Sequence, residues 1–450
     1  MSTRFHSHRI FLIAAFALAG SAFTQAQTIH ALTVQDALEL AKKNNIQVKT
    51  ALTNLAVQEQ TNKELTADAL PTIAATGTST NYFQIPVIVL AANSFGPGFP
   101  PTSQAVSLNQ KFNLTAGVTL NQKLFDGAVF VGLKARSTAL DYYKKNIDLT
   151  IENLAVNVYK TYYSLVISKT QIELLDANIA RAEKFLHDTK VMNENGFAEK
   201  LDVDKAVVQL ANLQTSRENT QTNITNGYLT LKFLIGLPAV DSVQLATSFD
   251  EAQLKGGIPM DLQYKYEDRN DYQVLQISRQ LSEFDVKRYK AVYYPTLSLN
   301  GAYQKNALNN TFDLFTNAST WYSTSYVGLS LNVPIFSGFS KDANLKKARL
   351  QSTLLGDQLD NLKQNIDVEV RTARNTFINS IRNMDNQRDN TSLAESVYNQ
   401  TKKKYESGLA STTDLTNAQT DLIQAQTNFI NALYNAVVAK VDYLKAIGKI

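Results

Sequence analysis

The chain contains unusually long runs without glycine or proline, and these runs constrain its fold more than any other feature. One run covers residues 133–195, which is 63 residues, and others cover 357–407, 409–447 and 197–226. An ordinary helix has about 12 residues. At about 1.5 Å per residue, the first run would form a helix on the order of 90 Å long. We therefore expect a mainly helical protein with very long packed helices and a smaller β part.

Two of these runs carry a coiled-coil seam. Apolar residues in the last run are spaced alternately three and four apart, and the 197–226 run begins the same pattern. This 3.5-residue period is typical of knobs-into-holes packing. An ordinary amphipathic stripe is the alternative for either helix taken alone. The seam residues are Leu415, Ala418, Leu422, Ala425, Phe429, Ala432 and Ala436, with Val203, Ala206, Leu210 and Leu213 in the earlier run.

The chain repeats its own organisation. Residues 193–210 and 405–422 share Glu-x-Gly, an Asp six residues after the glycine, an Ala four further on and then a Leu. "LPTIAATG" likewise echoes "YPTLSLNG", and "AGVTLNQKLFDG" echoes "VGLSLNVPIFSG". Self-similarity of this kind indicates a structural repeat. We predict a first repeat over 27–236, a connecting segment over 237–263 and a second repeat over 264–450.

Each repeat is predicted to contain helix, strand, loop, strand, long helix, tip and helix. Four segments alternate between apolar and polar residues with the period of a strand, at 70–83, 112–121, 294–304 and 325–336. Half-buried strands of an ordinary sheet are one interpretation. The other is a set of membrane-spanning strands, with apolar residues toward lipid and polar residues toward water.

Length and aromatic placement favour the membrane. Segments of about ten residues are long enough for a tilted strand to cross the hydrocarbon layer. The loops predicted between the strands, 84–111 and 305–324, are long, as external loops are. Aromatic residues gather near the loop side, where an interfacial belt is expected. These residues are Tyr82, Phe83, Tyr303, Trp321, Tyr322 and Tyr326.

Four strands are too few to enclose a pore. An open sheet edge in lipid leaves backbone N–H and C=O groups unpaired, at several kcal/mol each, and a single-chain barrel has at least about eight strands. We therefore expect an oligomer whose copies share one barrel. Two copies would form a narrow barrel, and three copies would form a wider one.

The N-terminus is typical of a secretory signal. Arg4 and Arg9 precede an apolar run, and small residues lead to a plausible cleavage site after Ala26. Without residues 1–26, 42 basic residues face 40 acidic ones, so nothing indicates a nucleic-acid partner. The chain has no cysteine. We therefore expect neither disulfides nor a lipid anchor on an N-terminal cysteine.

The sequence offers no chemistry typical of an enzyme. His30 and His187 are the only histidines after residue 26. We find no zinc-binding spacing, nucleophile elbow or phosphate-binding loop. We expect a protein that is not an enzyme and has no catalytic residues, cofactor or metal site.

The signal, the duplicated strand–loop–strand unit beside long helices and the doubled Gly-x5-Asp motif resemble the TolC-like outer membrane efflux proteins, or outer membrane factors. The resemblance covers nearly the whole chain after the signal. It implies a homotrimer in the outer membrane of a Gram-negative bacterium, with a shared 12-stranded transmembrane β-barrel in the lipid and an α-helical barrel in the periplasm. It further implies a passive exit duct of a tripartite efflux or type I secretion system, with a periplasmic adaptor (membrane fusion) protein and an inner-membrane pump as partners.

The doubled motif predicts two helical hairpin tips. Gly196 and Gly408 follow long helices and can take the left-handed conformation that ends them. In the second copy, Ser411 or Thr412 can cap the next helix, and Asp414 lies in its first turn.

The resemblance also implies roles for the tips. It implies a periplasmic gate, with carboxylates that select cations, and a tip that meets the adaptor. Asn417 is neutral where some relatives carry a second carboxylate, so a double acidic ring is not expected there. Alternatively, the aspartates only stabilise helix starts, and the apolar tip residues only pack the turn. The gate residues are Asp202, Asp204, Asp414 and Asn417, and the adaptor-binding residues are Gly196, Phe197, Gly408 and Leu409.

A structural coiled-coil protein, such as an exported adhesin without channel activity, is the alternative from another class. It would explain the helices and their seam. It would not explain four alternating strands with aromatic ends, so the exit duct is favoured.

Overall fold

A computed structural model describes residues 29–92, 100, 102–246, 254–256, 264–312 and 321–450. The predicted signal, residues 1–26, lies outside the described residues. The chain divides into two units. The helical unit comprises residues 1–49, 150–265 and 367–450, and the sheet unit comprises residues 50–149 and 266–366.

Long helices occupy the predicted glycine- and proline-free runs. They also extend past those runs, because α3, α4 and α6 continue through Gly132, Gly227 and Gly356. A glycine in a helix interior costs only about 1 kcal/mol relative to alanine, which is too little to end a helix of this length. The helices are α1 (Val34–Asn44), α2 (Ile46–Ala67), α3 (Gly127–Glu194), α4 (Lys200–Ile235), α5 (Asn270–Ala291), α6 (Ser340–Glu406) and α7 (Thr412–Ala446).

Four antiparallel strands form the main sheet of the sheet unit. Their order is β2-β5-β7-β8, so the central pair β5–β7 joins the two repeats, and β2 and β8 are edges. All four predicted strand segments are confirmed, although their ends differ. The strands are β2 (Thr72–Asn81), β5 (Phe112–Phe125), β7 (Thr296–Asn309) and β8 (Trp321–Asn332).

Both predicted loops contain strand structure that the sequence analysis missed. Within 84–111, β3 (Val87–Leu90) pairs with β4 (Gln104–Ser107). Within 305–324, β7 continues to Asn309 and β8 already begins at Trp321. Trp321 pairs with Ala307 of β7, whereas Asn309 pairs with Phe112 of β5. Both ladders extend this far because backbone pairing does not require apolar side chains.

The connecting segment also contributes a strand. In it, β6 (Ser242–Leu245) pairs in parallel with β1 (Ile29–Leu32). The buried Tyr162 hydroxyl donates a 3.0 Å hydrogen bond to the Leu32 carbonyl. The segment from 237 is therefore tied to the start of the described chain, and is more than a linker.

The predicted seam marks the buried side of α4 and α7. Leu415, Ala418 and Leu422 are at most 6% exposed and pack with Ala206 of α4 in one apolar cluster. Leu210, Ala425 and Phe429 are partly buried. The pattern thus predicted correctly which face of each helix is covered.

Gly227 is placed where α4 packs closely on α3. A Cβ atom at this position would lie 2.7 Å from Cδ2 of Leu165, whose side chain is 2% exposed. Gly356 of α6, in contrast, would have no atom within 4 Å of an added Cβ. Close packing therefore accounts for a glycine at position 227 and does not account for the one at position 356.

We predict that Gly227→Ala destabilises the protein by about 1–2 kcal/mol, because Leu165 must shift in a packed site. Gly356→Ala is the matched control and should stabilise by up to about 1 kcal/mol through helix propensity. Thermal unfolding of the purified protein in detergent, followed by circular dichroism, measures both. Equal shifts for the two variants would contradict close packing at Gly227.

Candidate functional site: two helical tips and a two-faced sheet

The first tip ends α3 with a left-handed glycine. Gly196 has φ of 80°, a region that favours glycine. The Phe197 N–H donates to the Met192 carbonyl at 2.8 Å, and the Gly196 N–H donates to the Asn193 carbonyl at 3.0 Å. This pair of hydrogen bonds is a Schellman motif.

The second tip ends α6 in the same way. Gly408 has φ of 73°. The Leu409 N–H donates to the Lys404 carbonyl at 2.8 Å, and the Gly408 N–H donates to the Tyr405 carbonyl at 2.9 Å. The predicted role of both glycines as helix terminators is confirmed.

The apolar residue after each glycine points to solvent. Phe197 and Leu409 are each 80% exposed in the chain. In a Schellman motif this residue often packs on the preceding turn. Packing of the turn therefore does not account for these two side chains.

A side-chain contact that sequence reasoning missed joins the two tips. The Tyr405 hydroxyl donates to the Met192 sulfur at 3.4 Å. The Tyr405 ring also meets the Phe185 ring edge-on, with 6.3 Å between centroids. The ends of α3 and α6 are thus neighbours, which brings Phe197 and Leu409 to the same end of the helical unit.

Ser411 caps the helix that follows the second tip. Its hydroxyl oxygen accepts from the Asp414 N–H at 3.1 Å, and the Asp414 carboxylate accepts from the Ser411 N–H at 2.9 Å. This is a reciprocal capping box. The backbone and then the hydroxyl of Ser411 lower the pKa of the Asp414 carboxyl by stabilising its charged form. Of the two predicted capping residues, Ser411 is the one that caps.

The first copy keeps the aspartate and loses the cap. Asp202 is the third residue of α4, as Asp414 is of α7. The cap position is held by Glu199, which makes no side-chain capping bond. The Asp202 carboxylate instead lies 3.9 Å from the Lys205 ammonium. The doubled sequence motif therefore does not produce a doubled capping box.

The predicted gate residues have local partners within the chain. Asp204 forms a 3.0 Å ion pair with Lys200, and both side chains are largely exposed. Exposed pairs of this kind are weak and are screened by salt. Asn417 is exposed one turn after Asp414. A single chain brings these side chains to the same end of the helical unit and does not close them into a ring.

A groove of about 600 Å³ lies between α4 and α7 beside the tips. Asp204 of α4 lines one side of this groove, and Thr416 and Thr420 of α7 line the other. The carboxamide of Gln209 also lines it, and its buried nitrogen and oxygen have no hydrogen-bond partner in the described chain. No sequence motif indicated this groove.

The sheet has an apolar and a polar face. Directly opposed residues share a face, so the register places Ile73, Leu120 and Val327 together on the apolar face. Asn306 and Thr115 share the other face, where the Thr115 hydroxyl donates to the Asn306 carboxamide oxygen at 2.8 Å. We call this second surface the polar face.

The register divides the predicted aromatic belt. Tyr303 and Trp321 lie on the apolar face, opposite Ser325 and Ala307. Tyr326 and Tyr322 oppose Ala302 and Asn306, so both lie on the polar face. The predicted belt residues on these two strands therefore lie on both faces of the sheet, two on each. The remaining two, Tyr82 and Phe83, follow the end of β2, and Phe83 is 98% exposed.

Within the described ranges, no helix combines the length and hydropathy needed to cross a bilayer. The described residues also contain no group of three or more His, Cys, Asp or Glu side chains that could hold a metal ion.

Comparison with known proteins agrees with this geometry. Residues 266–449 match the family described as "Outer membrane efflux protein". The outer membrane protein TolC of Vibrio cholerae is 23% identical over 345 residues, which cover 74% of this chain and 76% of TolC. The probable efflux pump outer membrane protein TtgC of Pseudomonas putida is 22% identical, over 94% of this chain and 84% of TtgC.

This chain is similar to the TolC-like outer membrane factors. Its fold matches the crystal structure of the CmeC outer membrane channel of Campylobacter jejuni with a TM-score of 0.74 at 18% identity, over 92% of this chain and 85% of CmeC. The predicted mainly helical fold with a small β part is thereby confirmed. The matched family and the structural neighbours are outer membrane channels rather than enzymes.

We predict that Ser411→Ala loosens the start of α7, because the Asp414 N–H loses its acceptor. A cap of this type is worth about 1 kcal/mol, which corresponds to roughly fivefold faster amide exchange in the first turn. Glu199→Ser should have the opposite effect on α4 by creating the missing cap. Hydrogen exchange followed by mass spectrometry measures both helix starts.

Asn428→Ala, an exposed substitution farther along α7, is the control and should leave the first turn unchanged. The capping interpretation fails if Ser411→Ala and Asn428→Ala exchange alike.

Proposed function

We propose that this chain is the outer-membrane exit duct of a tripartite efflux or type I secretion system, which conducts substrates passively from the periplasm to the outside. The observation that carries the proposal is the four-stranded sheet with two open edges and two chemically different faces. Such a sheet suits a shared barrel, with its apolar face toward lipid and its polar face toward water. The sequence relatives, which are outer membrane proteins, support the same conclusion.

Three copies are proposed to complete the barrel. Strands β2 and β8 each have one side without a partner in the described chain. In lipid these edges would cost several kcal/mol for each unpaired group. Three copies would place β8 of one chain beside β2 of the next and make a closed barrel of twelve strands in outer-membrane lipid.

The tips are proposed to meet a periplasmic adaptor protein, which in turn contacts an inner-membrane pump. Two apolar side chains, Phe197 and Leu409, are 80% exposed at neighbouring helix ends. The glycines before them, Gly196 and Gly408, let the chain turn sharply there. An adaptor that covers these side chains would gain apolar burial worth about 1.5–3 kcal/mol each when complete. The pump would supply the energy, since the sequence has no nucleotide-binding motif.

The carboxylates near the tips are proposed to bias the entrance toward cations. Of the three predicted aspartates, Asp204 and Asp414 are exposed, whereas the side chain of Asp202 is only 19% exposed. We propose that Asn417 lies in the same gate and contributes no charge to it. The paired lysines Lys200 and Lys205 reduce the local negative charge, so the expected selectivity is modest.

We predict that the purified protein conducts ions in planar bilayers and prefers cations. Asp204→Asn combined with Asp414→Asn should lower the cation-to-anion permeability ratio roughly two- to fivefold, the range expected for exposed charges. Asp141→Asn on α3 removes an equally exposed charge outside the tips and serves as the control.

A protein that inserts and never conducts would overturn the duct itself. Conductance with unchanged selectivity would leave the duct standing and reduce the aspartates to stabilisers of helix starts.

We further predict that cysteines placed on the two sheet edges cross-link separate copies. The natural chain has no cysteine, so there is no background reaction. Thr324→Cys on β8 is paired in turn with cysteine at Ala74, Thr76 or Thr78 on β2, so that three registers between copies are tested. Oxidation of protein in outer membranes should give a trimer band on denaturing electrophoresis for at least one pair, where the Cβ atoms come within about 4.5 Å.

Gln304→Cys on the central strand β7 is the control, since both neighbours of β7 belong to the same chain. A ladder that stops at dimers would indicate a two-copy barrel. Monomers for every pair would contradict a shared barrel.

A further inference from the structure

The polar face of the sheet is almost free of charge. Across β2, β5, β7 and β8 it carries no Asp or Glu, and Lys123, opposite Ser298 near one end, is its single charged residue. Hydroxyl and carboxamide groups dominate instead. The residues of this face on the two central strands are Asn113, Thr115, Gly117, Thr119, Asn121, Lys123, Ser298, Asn300, Ala302, Gln304, Asn306 and Leu308.

Two tyrosines are the aromatic exceptions on this face. Tyr322 and Tyr326 are four residues apart on β8, so their positions are separated by about 13 Å along the strand. They are 59% and 56% exposed, respectively. In the described part of the chain, neither ring stacks on another aromatic side chain. Both ring surfaces are therefore available.

Two small residues lie next to Tyr326 on this face. Ala302 lies directly opposite on β7. In the same row across the sheet, Thr119 lies on β5 and Ala74 on β2. Gly328 is the next residue of β8 on the same face. A flat molecule can therefore approach the ring of Tyr326 over Ala302 and Gly328, whereas Gln304 and Asn300 are the larger neighbours on this face.

We propose that Tyr322 and Tyr326 form a weak binding site for planar aromatic cations on the wall of the duct. This inference rests on the proposed function, which turns the polar face toward the lumen. An uncharged wall cannot hold a solute through ion pairs, and water competes for its hydroxyl and amide groups. Exposed aromatic faces attract both flat rings and cations. Three copies of the chain would present six such rings.

The test measures how long planar aromatic cations block single channels in planar bilayers. Ethidium is the aromatic probe, and tetraethylammonium is a cation without a ring. Because the two positions are about 13 Å apart, one ethidium stacks on one ring at a time. Tyr322→Leu combined with Tyr326→Leu should therefore shorten ethidium blocks roughly two- to fivefold, the loss of one exposed cation–π contact. Blocks by tetraethylammonium should not change.

Tyr303→Leu is the matched control, because Tyr303 is similarly exposed on the same sheet and lies on the apolar face. It should leave ethidium blocks unchanged. Tyr322→Trp combined with Tyr326→Trp should lengthen them, which tests the site if the leucine variant does not assemble.

Three results would overturn this inference: ethidium blocks of equal length in wild type and the leucine variant, equal shortening in Tyr303→Leu, or unaltered blocks in the tryptophan variant. Absence of conductance in the wild type would instead overturn the proposed duct. The two failures are thus distinguishable.

Discussion

Unpaired backbone groups at the two edges of the main sheet determine what this chain must do to enter a membrane. Strands β2 and β8 contain 10 and 12 residues, and each offers one side to no other strand of the described chain. Water can satisfy such an edge, whereas lipid cannot. The same sheet has one mainly apolar face, which includes Ile73, Leu120 and Val327 and is poorly suited to water. The proposed pairing of both edges with further copies of the chain would meet both requirements.

The internal duplication accounts for the composition of this sheet. Each repeat contributes one pair of strands, and the pairing of β5 with β7 joins the repeats in one ladder. Each repeat also contributes one helical tip, closed by Gly196 or Gly408 in the same Schellman geometry. The copies have diverged at the next helix start, where Ser411 caps and Glu199 does not. Backbone geometry has thus been retained while the side-chain stabilisation differs.

Much of this architecture could be predicted from sequence, because long helices, strand alternation and left-handed glycines each have a local signal. The parallel pairing of β1 with β6 had none, since two four-residue strands about 210 residues apart are recognisable only through each other. The clean runs suggested helices that begin after Gly132 and Gly356, whereas α3 and α6 begin earlier and continue through both glycines. One interior glycine costs only about 1 kcal/mol, which is too little to end such long helices. The faces of Tyr322 and Tyr326 could have been predicted: period-two counting from Val327 and Leu329 places both on the opposite side.

The charged residues of the tips and the tyrosines of the polar face would select solutes by different properties. In the proposed duct, the exposed carboxylates and lysines at the tips of the helical unit are the groups assigned to charge discrimination. The polar face of the sheet unit carries aromatic rings and almost no charge, so it can discriminate by shape and polarisability alone. The two sets of residues belong to different units and share no hydrogen bond or ion pair in the described part of the chain. Charge selectivity and aromatic retention are therefore expected to vary independently.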